Sequence, residues 1–427
     1  MKPKLDELPQ EMLIEIFKNL TSTDLLSLSY SCRKFNHAIN SCSDLMQKFT
    51  IFIIDSHKNV TFEPMRKYSK IFVSSDNLGD FLKIFEFIGD DLKEMTIRYS
   101  KIETIDLIKV FKICKNLKIL NFHAVQLNTN VDDFNIDFPK LTLDEFYLLN
   151  LQDSTEFIFR ILSNSQVKKL DMLGVFHHSH LLKNLLRSQK SLEVFKLHNQ
   201  HDEFMLFDDD SLTDVEFQLK ELKINNFDLY GPLLPFFRRF MEKHKETIEI
   251  FETNSNKTFN CLPSCTSLKI VNLPSTNFTN ENIFPTVENL ILQTGCIENW
   301  SRLFPNVKSV EITQSYMEIS EALVEVANCS KVERLVINYG AVFTLNLPSL
   351  KILELKFIEN FEICPIKDEN LKILEEILVE KCEKIDWLFE LLGKKNLKLK
   401  RLKIKRCQID NEILSKNLGR IERLEIF

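Results

Sequence analysis

Several clusters in this chain carry residue types that can do chemistry. His177, His178 and His180 stand almost together, with His198 and His201 further on. Neutral imidazoles are common metal ligands. No thiolate or carboxylate stands at ligand spacing beside them, so the run reads as a solvated loop. Cys261 and Cys265 lack the second ligand pair that a structural zinc site needs. Only 8 glycines occur, and none forms a phosphate-cradling loop. No Ser-His-Asp, Cys-His or RING-type cysteine arrangement stands out. The residues nominate no catalytic group, no metal site and no cofactor.

One charged cluster remains. Lys394, Lys395, Lys398, Lys400, Arg401, Lys403, Lys405 and Arg406 crowd one short stretch. Strand side chains alternate, so Arg401, Lys403 and Lys405 share a face. They can receive an acidic or phosphorylated peptide. Glu376 and Glu380, one repeat earlier, can equally neutralise them across the sheet.

These groups need elements to position them, and the elements repeat. A unit of form apolar-x-x-apolar-x-apolar starts at Tyr68, Leu92, Leu117, Leu143, Val167, Leu192, Leu219 and Ile248. It recurs at Leu268, Val287, Val307, Val332, Leu350, Leu374, Leu399 and Ile421. Steps run from 18 residues (Val332 to Leu350) to 29 (Leu219 to Ile248). That resembles the leucine-rich repeat period of ~20–29 residues. The fold class it implies is α/β: a solenoid with a curved parallel sheet and helical or irregular returns. In each strand alternate side chains turn inward, so Leu120 and Phe122 enter the core while Ile119, Asn121 and His123 face out. No unit buries its apolar face alone, and stacking stabilises the array. Helical returns are expected at 318–326 and 386–392. Cys382 and Cys407 fall at one repeat position, resemble a cysteine-containing repeat subtype, and read as small structural side chains.

The outward position between the two later apolar residues carries Tyr147, Ile291, Val336 and Leu378. Apolar side chains on a wet face are candidate target contacts. Arg401, Lys403 and Lys405 join them as candidates. The units starting at Leu192 and Leu219 are long, and hold Asp208–Asp210 and an aromatic-basic helix over 233–243. The sequence ends on a repeat strand at Phe427, and the expectation is that a partner covers that strand edge or that the array is truncated there.

The N-terminus differs. Pro9 suits a first helical turn. Leu13, Ile16, Phe17 and Leu20 follow at helical spacing, and Thr21 with Asp24 has the form of a capping box. Second and third helices are expected from Leu25 and from Cys32. Met12, Leu13, Ile14, Ile16 and Phe17 are nearly consecutive, more apolar surface than about 40 residues can bury within themselves. The surplus marks an interface.

Leu8-Pro9-x-Glu11-Met12-Leu13, Ile16-Phe17, Leu20, Asp24-Leu25 and Cys32-Arg33 resemble an F-box. Two departures are Ser31 where that family usually has Val, and Phe35 where it usually has Trp. The resemblance implies a small all-α, three-helix module over 4–46, followed by the repeat array over 47–427. It implies a partner, a Skp-family adaptor, and through it a cullin scaffold. By resemblance, Leu8, Pro9, Ile16, Phe17, Leu20, Leu25 and Leu28 face that adaptor. The repeats then hold a protein substrate, as in the substrate receptors of SCF-type ubiquitin ligases, which carry out no catalysis themselves. The alternative is a non-degradative repeat scaffold whose helices merely cap the array. A third class, repeat-type activators of small GTPases, needs a positioned arginine, and none is nominated.

Composition sets the outer limits. The 427 residues are 44% hydrophobic and 27% charged, with net charge −6. No global basic field draws nucleic acid or anionic lipid. The longest apolar run, 49–54, is far below the ~20 residues that span a bilayer. Residues 1–8 are charged and lack a signal-peptide core. The expectation is a cytoplasmic or nuclear protein, bound to neither nucleic acid nor membrane, whose 10 cysteines stay reduced.

Overall fold

The computed structural model describes residues 5–54, 68–128, 138–150, 155–174, 179–199, 206–225, 233–273, 281–293, 300–313, 331–338, 347–357, 373–382, 385, 388–389, 392 and 398–427. The chain forms two compact units, 1–206 with 214–217, and 207–213 with 218–427.

The first unit opens with helices α1 (Gln10–Phe17), α2 (Ser22–Ser31), α3 (Arg33–Ser41) and the one-turn α4 (Ser43–Met46). A ladder follows: β1 (Thr50–Ile54), β2 (Lys70–Ser74), β3 (Glu94–Arg98), β5 (Ile119–His123), β7 (Thr142–Leu149), β8 (Gln166–Gly174) and β9 (Val194–Asn199). All pair in parallel, in chain order. The returns include α5 (Leu82–Ile88), α6 (Thr104–Ile113), α7 (Thr155–Ser163) and α8 (Ser179–Ser188). Two short strands, β4 (Lys101–Glu103) and β6 (Gln126–Asn128), pair as a separate small sheet.

In the second unit ten strands continue the pattern. They are β10 (Glu221–Asn225), β11 (Ile250–Thr253), β12 (Ile270–Leu273), β13 (Asn289–Leu292), β14 (Ser309–Thr313), β15 (Arg334–Asn338), β16 (Ile352–Lys356), β17 (Glu376–Glu380), β18 (Leu399–Lys405) and β19 (Ile421–Ile426). Each is parallel to the next. This is a leucine-rich repeat solenoid, as the period implied. Leu120 and Phe122 are buried while Ile119, Asn121 and His123 are half-buried on the open face. β1 is an addition: its residues read in sequence as a plain apolar run, yet it alternates and pairs with β2 residue for residue.

With few glycines, the strand exits turn on other residues. Tyr99, Ala124, Asn150, Phe357, Lys381 and Arg406 take left-handed backbone, with φ between 49° and 56°. Each such residue donates its N–H to the next repeat, as Tyr99 does to the His123 carbonyl at 3.0 Å and Lys381 to Lys405 at 2.9 Å. The turn thus adds one rung to the ladder, which offsets a conformational cost of roughly 1–2 kcal/mol per residue. The next position is Ser100, Val125, Cys382 or Cys407 among the described turns. Where it is polar it can accept from the repeat before: Ser75 donates its N–H to Ser100 Oγ at 3.0 Å, and Cys382 donates its N–H to Cys407 Sγ at 3.4 Å. Cys382 is buried and Cys407 half-buried. Hydrogen bonding with Cys382 outweighs burial and lowers the Cys407 thiol to about 6.

One aspect of the array went unread in the sequence. From the repeat starting at Leu117 onward, the residue after the first apolar position alternates in sign; before it stand Ser69 and Lys93, and Lys93 neighbours Lys118 with the same charge. The alternating row is Lys118, Asp144, Lys168 and Glu193 in the first unit. In the second it is Lys220, Glu249, Lys269, Glu288, Lys308, Glu333, Lys351, Glu375, Lys400 and Glu422. Backbone bonds hold these residues side by side, as Lys308 N–H to the Glu288 carbonyl at 2.9 Å and Glu333 N–H to Lys308 at 2.8 Å. Their side chains pair: Lys168–Asp144 at 2.7 Å, Lys269–Glu249 at 2.8 Å, Lys308–Glu288 at 2.6 Å, Lys351–Glu333 at 3.0 Å and Lys400–Glu375 at 2.8 Å. The hydrogen bond from its lysine holds Glu249 below the usual carboxylate range.

The insertion before β10 is not a free loop. Asp210 pairs with Arg239 of α9 (Leu234–His244) at 2.5 Å, and Phe207 packs edge-on against Phe237 at 5.1 Å. The helical return expected at 318–326 lies outside the described residues. That at 386–392 is described in part, with Leu388, Phe389 and Leu392 buried.

Candidate functional site

The helical module is built around α1, which starts after Pro9. Leu13 and Phe17 turn inward, and the Phe17 ring meets Phe35 of α3 edge-on at 5.5 Å. α2 begins at the expected capping box: Thr21 Oγ1 accepts from Asp24 N–H at 3.2 Å, and the Asp24 carboxylate accepts from Thr21 N–H at 3.3 Å. Leu25 of α2 and Ala38 and Ile39 of α3 complete the core. At the exposed end of α1, Lys48 Nζ donates to the carbonyls of Lys18 and Leu20, at 2.6 and 2.8 Å. Carbonyls that lack a helical partner are thereby satisfied by a cation.

The core does not absorb everything. Leu5, Met12, Ile16 and Tyr30 stay 41%, 52%, 41% and 70% exposed. Pro9, Met12 and Ile16 lie at one helical spacing and form an exposed stripe about 100° round the helix from Leu13 and Phe17. Of the seven residues that the resemblance assigned to an adaptor, Pro9 and Ile16 are on this surface. Leu8, Leu20 and Leu28 are half-buried. Phe17 and Leu25 are corrected: both are fully buried and make the module's core. The sequence offered two apolar stripes on α1, Met12–Ile16 and Leu13–Phe17, and only packing against α3 decides which turns inward. Met12 and Tyr30, absent from the expected set, are more exposed than Ile16.

On the open strand face, most charges close on one another. Lys70 meets Glu94 at 2.7 Å, Lys223 meets Glu252 at 2.8 Å and Arg334 meets Glu354 at 2.6 Å. The basic cluster does the same. Arg401 takes Glu425 at 3.0 Å, with Glu376 farther off at 3.8 Å, and Lys405 takes Glu380 at 2.7 Å. Lys403 Nζ sits 5.2 Å from the Phe427 ring centre. Their hydrogen bonds hold Glu425 and Glu380 below the usual carboxylate range and raise Arg401. Of the two sequence readings, neutralisation prevails among the described residues. Lys394 and Lys395 lie outside them.

The apolar candidates divide. Ile291 and Leu378 are half-buried on the open face. The Tyr147 hydroxyl is bonded to Glu145 and Lys169, and Lys169 Nζ also sits over its ring at 4.7 Å. Val336 is corrected: it is fully buried. Glu311 and Glu354 flank it in register, and both are tied to its own strand, through Asn338 at 2.7 Å and Arg334 at 2.6 Å.

A different group is presented at the start of the ladder. Phe52 of β1 faces out and is 58% exposed, with Phe72 of β2 beside it at 5.7 Å. The Arg98 guanidinium lies over Phe72 at 5.7 Å, and Tyr99 packs against His123 at 4.8 Å with the rings tilted by 49°. Burial, then Arg98, lowers His123 below its ordinary 6.5, so it is neutral at pH 7. The sequence signal was aromatic residues at outward positions of β1 and β2, hidden because β1 had not been recognised as a repeat.

Among the described residues no group of histidine, cysteine and carboxylate side chains gathers to hold a metal. His177, His178 and His201 fall outside them. No described helix is long and apolar enough to cross a membrane.

Residues 5–51 match the F-box-like family model. No curated protein matches the chain. Among solved structures the chain is similar to the crystal structure of the TLR13–ssRNA13 complex, at 13% identity and a TM-score of 0.33, over 89% of this chain and 73% of that one. The fold assignment rests on the strand ladder itself. An F-box-like module joined to a repeat array is the arrangement of an interaction protein, with the module suited to an adaptor and the array to a protein ligand.

Proposed function

We propose that this chain is the target-recognition subunit of an SCF-type ubiquitin ligase. The helical module docks on a Skp-family adaptor and so on a cullin scaffold, while the repeats hold a protein to be modified. One observation carries the reading: a module of F-box-like sequence leaves Pro9, Met12, Ile16, Leu5 and Tyr30 uncovered by its own chain. Contiguous apolar surface on a small module marks a protein interface.

The mechanism is positional. Docking fixes the target beside the charged conjugating enzyme and raises the effective concentration of its lysines. No residue of this chain takes a chemical role. Ile291 and Leu378 belong with the candidate target contacts.

The test is co-purification with a Skp-family adaptor. The intact chain is expected to bind, and Met12→Asp with Ile16→Asp to weaken binding by about 100-fold or more, as loss of a hot-spot cluster does. Both side chains face solvent, so the unfolding midpoint is expected to stay put. Adaptor binding that is absent, or indifferent to the double change, leaves the module as a cap on the array.

A further inference from the structure

The open face of β1, β2 and β3 is unlike the rest of the described ladder. On β2 itself Lys70 has Glu94, and farther along the array the outward Lys169, Lys223, Arg334, Arg401 and Lys405 each have a carboxylate, while Lys403 sits over the Phe427 ring. Arg98 is exposed at the end of β3, and among the described residues no carboxylate reaches it. Its guanidinium rests on the Phe72 ring, which in turn leans on Phe52. A guanidinium held near a ring and not on a carboxylate keeps its N–H groups for an oxygen pair.

Tyr99 points the same way by a separate argument. It is 67% exposed and sits at a left-handed strand-exit position, φ 50°. Asparagine or alanine fills the same place two and one repeats later, at Asn150 and Ala124. Phe357, Lys381 and Arg406 take the same turn elsewhere, so the backbone calls for no particular side chain, and what sets Tyr99 apart is a ring left 67% exposed. Its neighbour His123 is neutral and half-buried, so the only formal charge of the group is Arg98.

We propose that Phe52, Phe72, Arg98 and Tyr99 form the primary target-binding patch of the array, and that its occupant is a short linear segment carrying an acidic residue beside an apolar one. The rings take the apolar side chain, and Arg98 takes the carboxylate in a two-pronged contact. With one cation and a chain of net charge −6, the patch suits a peptide and not a nucleic-acid backbone. Because β1 follows the helical module directly, a segment held here lies next in the chain to the docking unit. This rests on reading the array as a target receptor and names what that receptor takes.

The test uses the full chain and a random peptide library displayed on phage, panned in parallel on wild type and on Arg98→Glu. Wild type is expected to enrich Asp or Glu adjacent to Phe, Leu or Trp, and Arg98→Glu to enrich Lys or Arg in place of the acid. A synthetic peptide of the wild-type consensus is expected to bind at least about tenfold more weakly to Arg98→Glu and to Phe52→Ser, since each removes one full contact. Both variants should unfold at the wild-type midpoint, because the altered side chains are exposed. The proposal is overturned by no enrichment, by the same peptides from both proteins, by full binding to Phe52→Ser, or by an oligouridine that outcompetes the peptide. Adaptor co-purification is read on the same proteins. Arg98→Glu is expected to retain it, and its loss there would assign the patch to the adaptor instead. Failure of wild type to bind adaptor would sink the docking reading while leaving the peptide result intact.

Discussion

The open strand face of the first unit and that of the second offer a contrast. On β17, β18 and β19 charge is dense and mostly paired: Arg401 on Glu425 and Lys405 on Glu380. On β1, β2 and β3 charge is sparse and available, with Arg98 on a ring and Phe52 in solvent. In sequence the β17–β19 region announces itself as a basic cluster and the β1–β3 region does not. The difference teaches that a count of lysines and arginines reports nothing about anion binding until their partners are known. A cation committed to a neighbour has little left for a ligand.

Three perturbations probe where charge is held in this molecule. The largest effect is expected where a titratable group is kept off both faces. His244 is fully buried behind β10 and accepts the Leu219 N–H on Nδ1 at 3.3 Å. Burial, with Lys243 nearby, lowers it from 6.5 to about 3. The unfolded chain therefore takes up a proton below pH 6.5 that the folded chain refuses. Stability is complete above that pH and falls as pH drops toward about 3. Between pH 7 and pH 5 the loss is about 2 kcal/mol. Urea unfolding at both pH values checks it: His244→Gln, which keeps an acceptor, should flatten most of that slope, and an unchanged slope would place its origin elsewhere.

Next in size is the conversion of the closed face into an open one. Glu376→Gln, Glu380→Gln and Glu425→Gln together release Arg401 and Lys405. The triple variant is expected to bind an acidic peptide about tenfold more tightly than wild type at low salt. Equal binding would mean that the carboxylates were not what silenced the cluster. The smallest effect is expected on the alternating row, which is solvent-exposed. Lys308→Glu places a third acid between Glu288 and Glu333. It should lower the thermal midpoint slightly at low salt, and the difference should vanish in concentrated salt. A difference that persists there would have another cause.

Much of this architecture was legible because it obeys short periods. Alternation placed Leu120 and Phe122 inside, and residue spacing placed Thr21 and Asp24 in a capping box. What stayed hidden depends on neighbours. Phe17 and Met12 look alike in sequence, and only the position of α3 sends one inward. Val336 occupies an outward register but is fully buried between Glu311, held by Asn338, and Glu354, held by Arg334, from adjacent repeats. The nearest partner of Arg401 comes from the following strand, Glu425, where the sequence had offered Glu376. The aromatic patch was missed because 49–54 reads as an apolar run until its pairing with β2 shows which residues face out. The alternating row was present in the letters but scattered among repeats of unequal length, and only register aligns it.

From Lys118 onward that row sets a parity within each unit. Excise or duplicate one repeat, and two like charges become neighbours at the new junction, as Lys93 and Lys118 already are; excise or duplicate two, and plus still meets minus. Each exposed pair contributes at most about 1 kcal/mol, so the row favours even steps without dictating them.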